Sequence, residues 1–191
     1  MRDTVFELVC EASFPQCRLE DADFLPYDHA ASRQRRPDVL FQDPESGRTW
    51  VLDVTVADPQ RPSLQTQYRD VVGGAAAAAA AAKRAAILPL IRDRHDLRFV
   101  PLAVETFGAM DRSFTRFLQH VSTRRASRLG ACDTQTGILL FRMASQRISV
   151  ALQRAQAIII QRRCDSTADD CMPRASVDTS MLDLLALGPS V

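Results

Sequence analysis

A chain of 191 residues with 46% hydrophobic side chains can bury one core of ordinary size, or two small ones, which excludes wholesale disorder. The 24 basic and 23 acidic residues leave a net charge of +1, the figure of an ordinary soluble domain. No apolar run approaches the ~20 residues of a bilayer span, and the first residues lack a secretory core, so a soluble intracellular protein, nuclear or cytoplasmic, with no membrane partner is expected.

Residues 3–12 read as a short amphipathic helix with an acidic face, followed by a polar, proline-bearing connection to about residue 36. Pro37 to Phe41 reads as a strand, 43–47 as a turn, and the β-branched run Thr49 to Val56 as a second strand. A helical segment over about 64–88 is interrupted at Gly73-Gly74 and contains the alanine run 75–82, alanine being the best helix former. Leu97 to Glu105 reads as a third strand. From 111 to 129, Phe114, Phe117, Leu118 and Val121 fall on one helical face, and Gly130 ends that helix. A longer helix over about 137–162 carries Phe141, Ile148, Leu152, Ala155 and Ile159 along one side, with Arg147 and Arg154 on another. Residues 164–191 read as an acidic, mobile tail in which 181–185 can form a helical turn. The expected fold is α/β (mixed): a small central mixed sheet flanked by helices over 1–163, with a helical extension from about 111.

The near-neutral total conceals a segregated distribution. Residues 1–82 hold 8 basic and 13 acidic side chains, residues 83–163 hold 15 and 5, and residues 164–191 hold 1 and 5. The central block is thus +10 between two acidic flanks, and local potential, not total charge, attracts anions. Of the 24 basic residues 23 are arginine, whose planar fork suits phosphate, and only Lys83 is lysine. Five cysteines at irregular spacing, with no C-x-x-C, fit free thiols better than a zinc site.

One residue is out of character with its strand. Asp53 places a carboxylate inside Val51-Leu52-Asp53-Val54, where the neighbours require burial. A hairpin brings it near Asp38, and two close carboxylates resist joint ionisation unless a cation accompanies them. Mg²⁺ favours such oxygens together with water. The plain structural alternatives are Asp38 as a turn cap, Asp53 as a buried acid paired with an arginine, and Lys83 as a surface residue closing the alanine tract. Glu7, Glu11 and Glu105 are explained by surface solvation, while Gln65, Gln67 and Tyr68 are further possible phosphate or water contacts.

Arg36-Pro37-Asp38, fourteen residues, then Asp53-Val54-Thr55 resembles the PD-(D/E)xK nuclease superfamily. With Lys83-Arg84, the run Phe99 to Thr106 (Phe-Val-Pro-Leu-Ala-Val-Glu-Thr) and the helix 146–154, the order of motifs is similar to the restriction-enzyme-like endonuclease region of non-LTR retrotransposon polyproteins. The resemblance covers about residues 1–162. It implies a restriction-endonuclease-like fold and Mg²⁺-dependent (or Mn²⁺-dependent) cleavage of DNA, without a small-molecule cofactor. It implies Asp38 and Asp53 as metal ligands, the Val54 carbonyl as a further one, and Lys83 as the catalytic lysine. The chain departs from the usual pattern at Thr55, which fills the slot two residues after the second acid where a lysine normally stands. Lys83, from the following helix, is then the substitute the resemblance implies. Arg36, Arg84, Arg147 and Arg154 are the expected nucleic-acid contacts. The second expectation is a catalytically decayed nucleic-acid-binding relic of the same fold, and either can be a fragment of a larger element.

Overall fold

The computed structural model describes residues 1–21, 36–62, 67–68, 70–131 and 133–171. The elements, in chain order, are α1 (Arg2–Glu11), β1 (Arg18–Leu19), β2 (Val39–Gln42), β3 (Thr49–Ala57), α2 (Gly74–Ile87) running into a 3₁₀ turn (Leu88–Ile91), β4 (Leu97–Glu105), α3 (Arg112–Arg128) and α4 (Thr134–Cys171). The fold is mixed α/β. The strands lie in the order β1-β2-β3-β4; the first two pairings are antiparallel and β3–β4 is parallel. A parallel pair needs a crossover, and α2 supplies it.

Strand alternation divides the core between the two sheet faces. Val39, Phe41, Trp50, Leu52, Val100, Leu102 and Val104 point to one face. There they meet Val5, Leu8 and Val9 of α1, the Phe114–Phe117–Leu118–Val121 stripe of α3, and Ile148 and Leu152 of α4. On the other face Leu40 and Val51 pack with Ile87, Ile91 and Leu97, and Ala103 packs on Ala76 and Ala80 of α2. The alanine run therefore lets a helix lie close to the sheet. Gly74–Ile91 is long and apolar enough to cross a membrane by length and composition. That is a correction to the expectation that no stretch comes close, and the packing of this segment on the sheet accounts for its apolar side.

The Gly73-Gly74 pair interrupts the helical segment as the sequence suggested: Gln67 and Tyr68 before it are helical, and α2 starts anew at Gly74. Gly73 caps the helix at φ +78°, a conformation that side chains disfavour, and a Cβ on Gly74 would fall 2.7 Å from the Tyr68 ring. Pro101 is tolerated in β4 because that strand is the edge. Ala103 and Glu105, of the same parity, direct their backbone groups outward to Asp111 and Ala109, so the position without an N–H lies on the unpaired side.

Two compact units divide the chain at Gln156. In the second, the helix continues from Ala157 to Cys171 and exposes Ile158, Ile159 and Ile160. Ile159 thus leaves the apolar stripe expected for it, and the helix passes the expected end near 162; residues 172–191, including 181–185, lie outside the described residues. The short β1 was absent from the sequence reading.

Candidate active site

The β2–β3 register pairs Val39 with Leu52. One step further along the same antiparallel ladder sets Asp38 opposite Asp53, and the Asp38 N–H donates to the Leu52 carbonyl at 2.9 Å. The Val54 N–H donates to Asp38 Oδ2 at 2.6 Å, which holds this carboxylate against β3. Like charges directly opposite one another in a sheet repel. Lys83 answers that repulsion: from α2 its Nζ donates to Asp53 Oδ2 at 2.8 Å and Oδ1 at 3.0 Å. The side chains are 37% and 16% exposed, so the ion pair is partly shielded from solvent and remains reachable from it.

Burial raises the pKa of Asp38. The Val54 N–H opposes that shift, the charge of Asp53 adds to it, and Lys83 and Arg2 pull it back. Arg2 is a contributor that sequence reasoning missed, since nothing local connects the first turn of α1 with β2. The sequence alternatives resolve accordingly: Asp53 pairs with a lysine and not an arginine, and Lys83 turns towards the sheet.

Thr55, half-buried, borders a groove of about 600 Å³ that runs along α2, with Gln67, Tyr68 and Arg61 among its other walls. Gln65 lies outside the described residues. Of the arginines, Arg36 is exposed two residues before Asp38. Arg84 leaves the acid pair, donates to Ser113 Oγ and sits 3.6 Å from Asp111 Oδ2, the carboxylate that caps α3. Arg147 bridges Glu7 at 2.7 Å and Glu11 at 2.6 Å. Arg154 is exposed.

Three acids depart from the expected surface solvation. Glu7 and Glu11 fasten α1 to Arg147, and Glu11 also pairs with Arg125. Glu105 is only 5% exposed, and its Oε1 accepts from the N–H groups of Ala75 at 2.9 Å and Ala76 at 3.5 Å. It thus caps α2 from the end of β4. Cys17 is a free thiol, and burial pushes its pKa up to about 11.

Among the described residues no group of three or more His, Cys, Asp and Glu side chains converges as a metal cage. The Asp38–Asp53 pair still fits a hydrated Mg²⁺, which needs only one or two carboxylates because it keeps water and takes substrate phosphate. The opposed carboxylates bring two negative charges side by side, and burial, with the charge of Asp53 added to it, raises the pKa of Asp38. No family model matches the chain, and no curated protein does so either.

Proposed function

We propose that the chain is a Mg²⁺-dependent endonuclease of the restriction-enzyme-like kind, hydrolysing phosphodiester bonds in DNA. The observation that carries this reading is the meeting, at one point of the sheet, of two cross-strand carboxylates with the only lysine in the chain. Asp38 and Asp53 would hold the metal, which would supply a nucleophilic water near neutral pH. Lys83, fixed by Asp53, holds a positive charge beside the acids and stabilises the charge that grows on the attacked phosphate. It does the work of the lysine that Thr55 displaces, reaching the same sheet face from α2. The Val54 N–H fixes the orientation of Asp38, so the two acids need little reorganisation to act together.

A second reading is a nucleic-acid-binding protein that has lost hydrolysis. It is favoured by the double contact of Lys83, which occupies both oxygens of Asp53 and makes a self-contained ion pair.

Plasmid nicking in Mg²⁺ or Mn²⁺ separates the two. Nicking by the parent protein that falls at least about a hundredfold in both Asp53→Ala and Lys83→Ala is the expected result. DNA binding without nicking supports the second reading. Nicking that persists in Asp53→Ala overturns the assignment of the site.

A further inference from the structure

A second cluster of cations gathers at the β4 edge of the sheet. A polar pocket of about 540 Å³ opens where β4, the 43–47 turn and the start of α3 meet, and Arg84, Arg98 and Arg116 all line it. Among the described residues Arg98 and Arg116 form no ion pair, and both are exposed, unlike Arg147 with its two glutamates. The Arg98 guanidinium lies 4.3 Å from the centre of the Trp50 ring, and Trp50 stacks on His120 with centroids 4.8 Å apart. The cationic head is therefore held in place by a stack of rings.

The pocket wall also contains a donor with no acceptor among the described residues. Trp50 is 4% exposed, lines the pocket, and its buried indole N–H meets no acceptor among the described residues. His120 Nε2 is buried beside it and lies 3.5 Å from Asp43 Oδ1, within ion-pair reach of that carboxylate when protonated. Burying such a group without a partner is unfavourable, a cost that an oxygen-rich ligand relieves. The acids in the wall do not cancel the cations. Asp43 is engaged by the Ser46 hydroxyl at 2.6 Å and the Glu45 N–H at 3.4 Å, and Glu45 stands exposed at the rim. The guanidinium groups of Arg98 and Arg116, with Arg84 beside them on Ser113 and Asp111 and the Trp50 N–H in the wall, suit a tetrahedral anion with several acceptor oxygens.

We propose that this pocket is a phosphate-binding site, built on Arg98 and Arg116 and closed on its inner side by Trp50 and His120. It is distinct from the acid pair and does not depend on hydrolysis. Its position gives it a use: Asp53 pairs with Pro101 across β3–β4, and Pro101 lines the pocket. A phosphate held here sits one strand away from the acids. Arg84 follows Lys83 directly in α2, so one helical turn serves both places.

Trp50 is the only tryptophan in the chain, which makes its emission a local reporter. The full chain is titrated with inorganic phosphate and, separately, with a short DNA duplex, while fluorescence and heat are followed at constant ionic strength. The expected result is saturable binding that weakens about tenfold in Arg116→Ala and in Arg98→Ala, and tightens in Glu45→Gln. The inorganic phosphate titration is run without divalent metal, which keeps this outcome separate from that of the nicking assay. Arg116 is exposed, so its variant is expected to fold, and circular dichroism checks it. Binding of both probes assigns the site to phosphate as such; DNA alone assigns it to a backbone phosphate, and inorganic phosphate alone to a small phosphate-bearing ligand. No saturable signal, a signal that chloride reproduces, or unchanged affinity in Arg98→Ala and Arg116→Ala overturns the proposal.

Discussion

Asp38 is the residue at which stability and function pull apart. Its pKa is raised, chiefly by burial, so the folded protein holds this proton more tightly than the unfolded chain does. A carboxyl with a raised folded pKa contributes stability at low pH that is lost as pH rises from the unfolded value, about 3.9, through the folded one. At neutral pH the charged form is therefore a net burden on the fold. Asp38→Asn keeps an acceptor for the Val54 N–H and removes that burden. Its melting temperature is expected to exceed the parent's at pH 7, and the difference should shrink as pH falls below about 4, where the parent is protonated as well. Thermal melts across pH check this; a less stable Asp38→Asn at pH 7 would mean that the Val54 contact to a charged oxygen outweighs burial.

At the scale of elements, α2 is held by a residue outside itself. Its N-cap is Gly73, which offers no side-chain acceptor, and Glu105 serves in its place from β4. Glu105→Ala is expected to destabilise the protein by about 1–3 kcal/mol, because buried N–H groups lose their acceptor. Glu105→Gln, which keeps one, should lose less than half of that in urea denaturation, and equal losses in the two variants would argue against capping. This contact also marks how far the sequence could be read. The strands around Phe41, Val51 and Leu102 and the stripe of α3 were legible because burial imposes period two or period 3.6 on the sequence itself. Asp53 was legible as a charge in an apolar strand. Glu105 was not, since an acid at a strand end looks the same whether water or a distant helix satisfies it. Two-residue β1 has no periodicity to show, and the late turns of α4 carry exposed isoleucines that a one-sided stripe does not describe. Lys83 was singled out because no other lysine exists, but only packing could direct it to Asp53.

For the molecule as a whole, the basic block between 83 and 163 divides into internal fasteners and outward charge. Arg147 belongs to the first kind and Arg154 to the second. Arg147→Gln is expected to lower stability by roughly 1 kcal/mol, as loss of a partly exposed ion-pair network does, and to leave the salt dependence of DNA binding unaltered. Arg154→Gln should do the reverse, reducing the slope of log affinity against log salt by about one without moving the melt. Measuring both variants in both assays checks the division, and a shared response would dissolve it. The parallel β3–β4 pair has a consequence of another sort, in the order of assembly. β2 and β3 are joined by the short 43–48 turn, so Asp38 and Asp53 can meet as soon as that hairpin closes. Lys83 lies 30 residues beyond Asp53 and arrives only when the crossover has docked. Local closure precedes distant closure, because the entropy of a long loop must be overcome before its contacts form. The hairpin is thus born with unrelieved repulsion, and the docking of α2 is favoured by the charge imbalance it removes.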